Sequence, residues 1–181
     1  MSDTSYDVLL RRKQEMHEIL TNTIRDLAAE DGYLLQTCLF EEAISHRFAV
    51  YLERRIAADD VFRQHKLATD CEYDKFAWDW KSVPNTWDPD NMPERERDRR
   101  IRPDIIVHQS GNALGRINLL AVEIKKSSTV STVTRDFALW KCRSYRSSNL
   151  AYMFAAYVCL RTGEHWRKDQ FPLNELILFP E

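Results

Sequence analysis

Apolar residues recur at helical spacing twice in the first third of the chain. Leu9, Met16, Leu20, Ile24 and Leu27 form one stripe. It predicts a helix capped by Asp3, Thr4 or Ser5 and stopped at Gly32. Ile44, Phe48, Leu52 and Ile56 form a second stripe, which predicts a helix from about Glu41 to Ala58. Over residues 61–73 the period shortens. Thr69, Cys71 and Tyr73 alternate with Asp70, Glu72 and Asp74, the pattern of an extended segment. Residues 81–100 carry Pro84, Pro89 and Pro93 and end in a dense run of alternating charge, the composition of a loop or flap. Strands are predicted at 105–107 and 117–125, joined through a turn at Gly111 and Asn112. A helix over about 133–146, a buried strand over 151–160 and a short strand over 176–179 complete the reading. Helix, helix, three strands, helix and two strands make an α/β domain on a small mixed sheet.

Length and composition narrow the class. The 181 residues suit one domain with its own core. Residues 1–32 are expected to form an N-terminal helix, about 40–160 the core, and 161–181 a C-terminal strand extension. Lys and Arg number 26 against 28 Asp and Glu, which excludes a globally basic nucleic-acid coat but leaves room for a local basic groove. The apolar run 151–160 is about half the length of a membrane-spanning helix. No basic stretch leads into an apolar one near the start, so no signal peptide is expected and a cytoplasmic setting is. The four cysteines are scattered without a Cys-x-x-Cys pair, as expected of incidental thiols and not of a zinc site or disulfide framework.

The segment with chemistry in it is Leu119–Leu120–Ala121–Val122–Glu123–Ile124–Lys125–Lys126. Apolar residues at both parities mark a strand buried on both faces, yet Glu123 and Lys125 interrupt it and point to the same face. Burying either charge without a partner costs several kcal/mol. The preceding strand opens Arg102–Pro103–Asp104, so a hairpin would bring Asp104 and Glu123 together. Two close carboxylates need a proton or a cation between them. Hard oxygen donors without Cys or His favour Mg²⁺ or Mn²⁺ over zinc. The plainer alternative is a structural ion pair of Glu123 and Lys125, with Asp104 as a turn residue.

Pro103–Asp104 followed by Glu123–Ile124–Lys125 resembles the motif of the PD-(D/E)xK nuclease superfamily, the restriction-endonuclease-like folds. The runs Glu41–Glu42–Ala43–Ile44–Ser45–His46–Arg47, Asp70–Cys71–Glu72–Tyr73, Pro103–Asp104–Ile105–Ile106–Val107–His108 and Glu123–Ile124–Lys125–Lys126–Ser127–Ser128 are similar to those of a group of small bacterial proteins in it. The resemblance covers most of the chain beyond the first helix. It implies a core of helix, three strands, helix and strand, and an Mg²⁺- or Mn²⁺-dependent deoxyribonuclease. Asp104, Glu123 and the carbonyl of Ile124 would hold the ion, and Lys125 would orient or help deprotonate the attacking water. A glutamate of the first core helix would complete the site. Helical geometry favours Glu41, on the buried stripe, over Glu42. Glu72 is a further candidate on the first core strand. The pattern departs on the next helix, where Asp136 is followed by Phe137–Ala138–Leu139–Trp140–Lys141 and not closely by Lys-Leu.

The expected substrate is DNA, with RNA left open. Candidate phosphate donors are Arg99, Arg100, Arg102, Arg135, Lys141, Arg143 and Arg146. Lys126 faces away from the site and is at best a backbone contact. A homodimer or a larger complex is compatible with one site per chain. The competing reading is a catalytically silent nucleic-acid-binding or regulatory subunit of a defence or repair complex.

Overall fold

A computed structural model describes residues 9, 11–38, 40–71, 103–109, 117–147 and 151–180 of the chain. Its elements are α1 (Lys13–Gln36), α2 (Glu41–Ala58), α3 (Asp60–Gln64), β1 (Leu67–Cys71), β2 (Ile105–Gln109), β3 (Asn118–Lys126), α4 (Thr132–Ser147), β4 (Phe154–Leu160) and β5 (Leu173–Phe179), with a 3-10 turn at Gly163–His165. The protein is an α/β fold on one five-stranded mixed sheet in the order β1-β2-β3-β4-β5. β1, β2 and β3 run antiparallel in turn. β3 and β4 are parallel, which demands a crossover, and α4 supplies it. β5 returns antiparallel to β4.

The sheet separates two apolar layers. Leu120, Val122 and Ile124 of β3 and Phe154, Ala156 and Val158 of β4 join the stripes of α1 and α2 in the larger one. Ala121, Ala155, Tyr157 and Cys159 face the smaller layer, with Ala138, Leu139, Cys142 and Tyr145 of α4. Period-two alternation assigns each strand residue to its layer. A strand covered on both faces must be apolar at both parities, and all seven interior positions of β3 are buried.

Helix α2 has the bounds its stripe predicts, with Ile44, Phe48, Leu52 and Ile56 all buried. Two expectations are corrected. Gly32 does not stop the first helix. The chain kinks at Asp31 (φ −126°, ψ 27°) and stays helical to Gln36, because Leu34 and Leu35 continue the buried stripe. A Cβ at position 32 would meet the Trp166 side chain at 3.4 Å, an ordinary van der Waals contact. Residues 61–64 are not extended but belong to α3. Asp59 caps it by accepting from the amides of Val61 and Phe62, and this local bonding outcompetes an early start to the strand. The expected caps Asp3, Thr4 and Ser5, the 81–100 segment and the Gly111–Asn112 turn lie outside the described residues. Among the described residues no helix is long and apolar enough to cross a membrane.

Candidate active site

The end of β2 sets the geometry. Its last pair with β3 is Ile105 with Val122, and β3 runs on through Glu123, Ile124 and Lys125 with no β2 residue opposite. Asp104, held after the buried Pro103 at the strand's mouth, supplies the missing acceptor. Its Oδ2 takes the amide of Ile124 at 2.6 Å. Pro103 stands two residues before β2, where no ladder donor is needed. The local sequence therefore places one carboxylate oxygen against the backbone between Glu123 and Lys125.

Lys125 then gathers the rest. Its ammonium donates to Glu41 Oε1 at 2.8 Å and to the carbonyl of Ile124 at 2.7 Å. It lies 3.5 Å from Asp104 Oδ2 and 3.9 Å from Glu123 Oε2. Glu41, at the start of α2, reaches it across the end of the sheet. Burial alone would lower the Lys125 ammonium, but Asp104, Glu123 and Glu41 raise it instead, so it stays charged.

Glu123 is fully buried. Its Oε1 accepts from the Tyr145 hydroxyl at 2.6 Å, and Lys141 Nζ stands 2.7 Å from Oε2. That oxygen nevertheless receives no hydrogen bond of good geometry. Burial pushes the Glu123 carboxyl up to about 7. Lys141 opposes the rise, the Asp104 charge adds to it, and Lys125 opposes it more weakly. Burial and the neighbouring Glu123 also drive the Tyr145 hydroxyl well up, which keeps it a donor.

The structure thus brings Glu41, Asp104, Glu123, Lys125 and the Ile124 carbonyl together. Glu42 is exposed and borders, with Glu41, Ser45 and Asp104, a small cleft of about 50 Å³, room for an ion and a few waters. Lys141 is corrected. It was expected as a phosphate donor at the surface, yet it is buried beside Glu123. The signal was present: Lys141 lies four residues from both Phe137 and Tyr145, on the buried stripe of α4. Tyr145, also missed as a site residue, follows from the same stripe.

The other donors are dispersed. Arg135 Nε binds Glu175 Oε2 at 2.7 Å, in a two-bond pair that spends its charge on β5. Arg146 donates to the carbonyl of Met153. Arg143 is exposed, its guanidinium 5.2 Å from the centre of the Phe179 ring. Lys126 is half-buried at the end of β3. Arg99, Arg100, Arg102 and Glu72 lie outside the described residues.

The donor chemistry suits a hard divalent cation: three carboxylates and a carbonyl, one carboxylate oxygen buried and lacking a good hydrogen bond. Among the described residues, however, no three acidic, imidazole or thiol side chains are arranged, as they stand, to hold a metal ion. The Lys125 ammonium stands among them instead. No family model, curated protein or solved structure matches this chain.

Proposed function

We propose that the protein is a divalent-metal-dependent nuclease of the PD-(D/E)xK type, cleaving phosphodiester bonds in DNA. The observation that carries this reading is the gathering of four oxygens around Lys125 Nζ, from Glu41, Asp104, Glu123 and Ile124, beside an open cleft. The run of α2, three antiparallel strands, α4 and a parallel β4 supports it, being the element order that the motif's resemblance implies.

Glu41, Asp104, Glu123 and the Ile124 carbonyl would hold Mg²⁺ or Mn²⁺. Once bound, such an ion stabilises charge on the phosphate and lowers the pKa of a coordinated water. Asp104 works from a fixed position, because its Oδ2 is anchored on the Ile124 amide. Tyr145 and Lys141 keep Glu123 in one orientation. Lys125 supplies a positive charge beside the phosphate and a hydrogen bond that orients the attacking water. Polymer contacts fall to exposed cations such as Arg143, and to Arg99, Arg100 and Arg102.

A second reading, a catalytically silent nucleic-acid-binding or regulatory subunit, is favoured by one observation: an ammonium already stands among the acids. Supercoiled plasmid incubated with Mg²⁺ or Mn²⁺ separates the two. Nicking by the wild type, lost in Asp104→Ala and in Lys125→Ala, supports the nuclease. Retention of DNA without nicking at any divalent concentration supports the silent binder.

A further inference from the structure

We infer that the Lys125 ammonium holds the place of the divalent cation in the metal-free protein, so that the ion enters by displacing it while Lys141 stays behind to balance Glu123. This inference rests on the metal-dependent reading above and concerns how that same site is loaded.

The contacts of Lys125 point to a stand-in. Its Nζ reaches Glu41 Oε1 and the Ile124 carbonyl at 2.8 and 2.7 Å and faces Asp104 Oδ2 and Glu123 Oε2 at 3.5 and 3.9 Å. An ammonium and a hard divalent ion want the same oxygens, and they cannot both sit among them.

The charge count agrees. With Glu123 ionised, three carboxylates face two ammoniums, so the metal-free cluster is one positive charge short. A divalent ion together with Lys141 would match all three carboxylates, and Lys125 would be released. In a buried cluster such matching is worth more than at a surface, since water screens it poorly. Glu123 Oε2, fully buried with Lys141 at 2.7 Å and Lys125 only at 3.9 Å, would gain a second close partner.

Lys141 is placed to remain. It arises from the middle of α4, its ammonium is 5.8 Å from the centre of the Phe137 ring, and Glu123 Oε2 is 2.7 Å away. Lys125 sits at the end of β3 beside the cleft, where a displaced side chain can turn outward. Released there, its charge lies where a phosphate would arrive, as its catalytic part requires.

Reductive methylation of lysines, read peptide by peptide by mass spectrometry, tests this on the wild-type protein with and without Mn²⁺. Lys125 should be protected without Mn²⁺ and labelled several-fold faster at saturation, whereas Lys141 stays protected in both. Calorimetric titration with Mn²⁺ alone provides the second arm. Lys125→Met should bind Mn²⁺ about tenfold or more tightly than the wild type, and Lys141→Met should gain clearly less, although both remove one nearby charge. Mn²⁺ binding with Lys125 still protected, or equal gains in the two variants, overturns the inference and leaves the metal reading intact. No Mn²⁺ binding to any of the proteins overturns both.

Discussion

Lys141 Nζ stands 2.7 Å from Glu123 Oε2, while Lys125, on the same strand as Glu123, stays 3.9 Å away. The fully buried carboxylate of the site is therefore matched from helix α4, across the smaller apolar layer. The two lysines have separate tasks, and this separation governs what their loss does.

Removing Lys141 leaves a buried carboxylate short of its nearest cation. Well above pH 7, where Glu123 is ionised, Lys141→Met should destabilise the metal-free protein by about 3–5 kcal/mol, the range for breaking a buried pair from one side. The same change made on top of Glu123→Gln should cost clearly less, because no charge is then stranded. Urea unfolding of the four proteins gives the coupling. Additive costs would show that the pair is not coupled.

Tyr145 donates to a carboxylate and not to a neutral acceptor, and such bonds are the stronger kind. Tyr145→Phe should cost about 1.5–3 kcal/mol, read by urea unfolding. A cost near zero would mean that Glu123 is held without it.

Glu41 and Glu42 begin the same helix, but only Glu41 meets Lys125. Glu41→Gln should weaken Mn²⁺-dependent cleavage by about 10–100-fold, as loss of a group supporting a metal site does. Glu42→Gln should leave it near the wild-type rate. Equal losses would assign the helix contribution to the pair of residues and not to Glu41.

The contact of α1 with α2 predicts a pH dependence. Burial alone would raise the Asp31 carboxyl, but the Tyr51 and Arg47 hydrogen bonds and the Arg47 charge hold it below its ordinary 3.8. A depressed acid stabilises the fold above that ordinary value, and the contribution is lost as pH falls through the lower, folded-state one. Asp31→Asn should therefore cost about 1–2 kcal/mol at neutral pH, with allowance for the part-exposed Arg47. Thermal melts of the two proteins should converge as the pH drops below 3.8. A gap that persists unchanged in acid would contradict this origin.

Much of this was legible in the chain. The stripe Ile44, Phe48, Leu52 and Ile56 marks α2 to its ends, and β3 announces itself because few strands are apolar at both parities and still carry Glu123 and Lys125. Three residues of the cluster, Asp104, Glu123 and Lys125, come from two strands only a hairpin apart. What was not legible depends on distant partners. Lys141 reads as a surface cation until α4 is laid against β3, and Arg135 reads as a phosphate donor until Glu175 of β5 meets it. Gly32 reads as a helix stop because propensity is local, whereas Leu34 and Leu35 are held helical by burial. The short α3 is signalled only by Asp59, whose capping bonds an alternation of apolar positions does not register.

The gathering of acids around Lys125 is tested most directly by anomalous diffraction from crystals soaked in Mn²⁺. One strong peak is expected, bordered by Glu41, Asp104, Glu123 and the Ile124 carbonyl, within about 2.0–2.6 Å of the bound oxygens, with Nζ of Lys125 turned out of the cluster. A saturating soak in which Lys125 keeps its place among those oxygens and no peak arises there would contradict it.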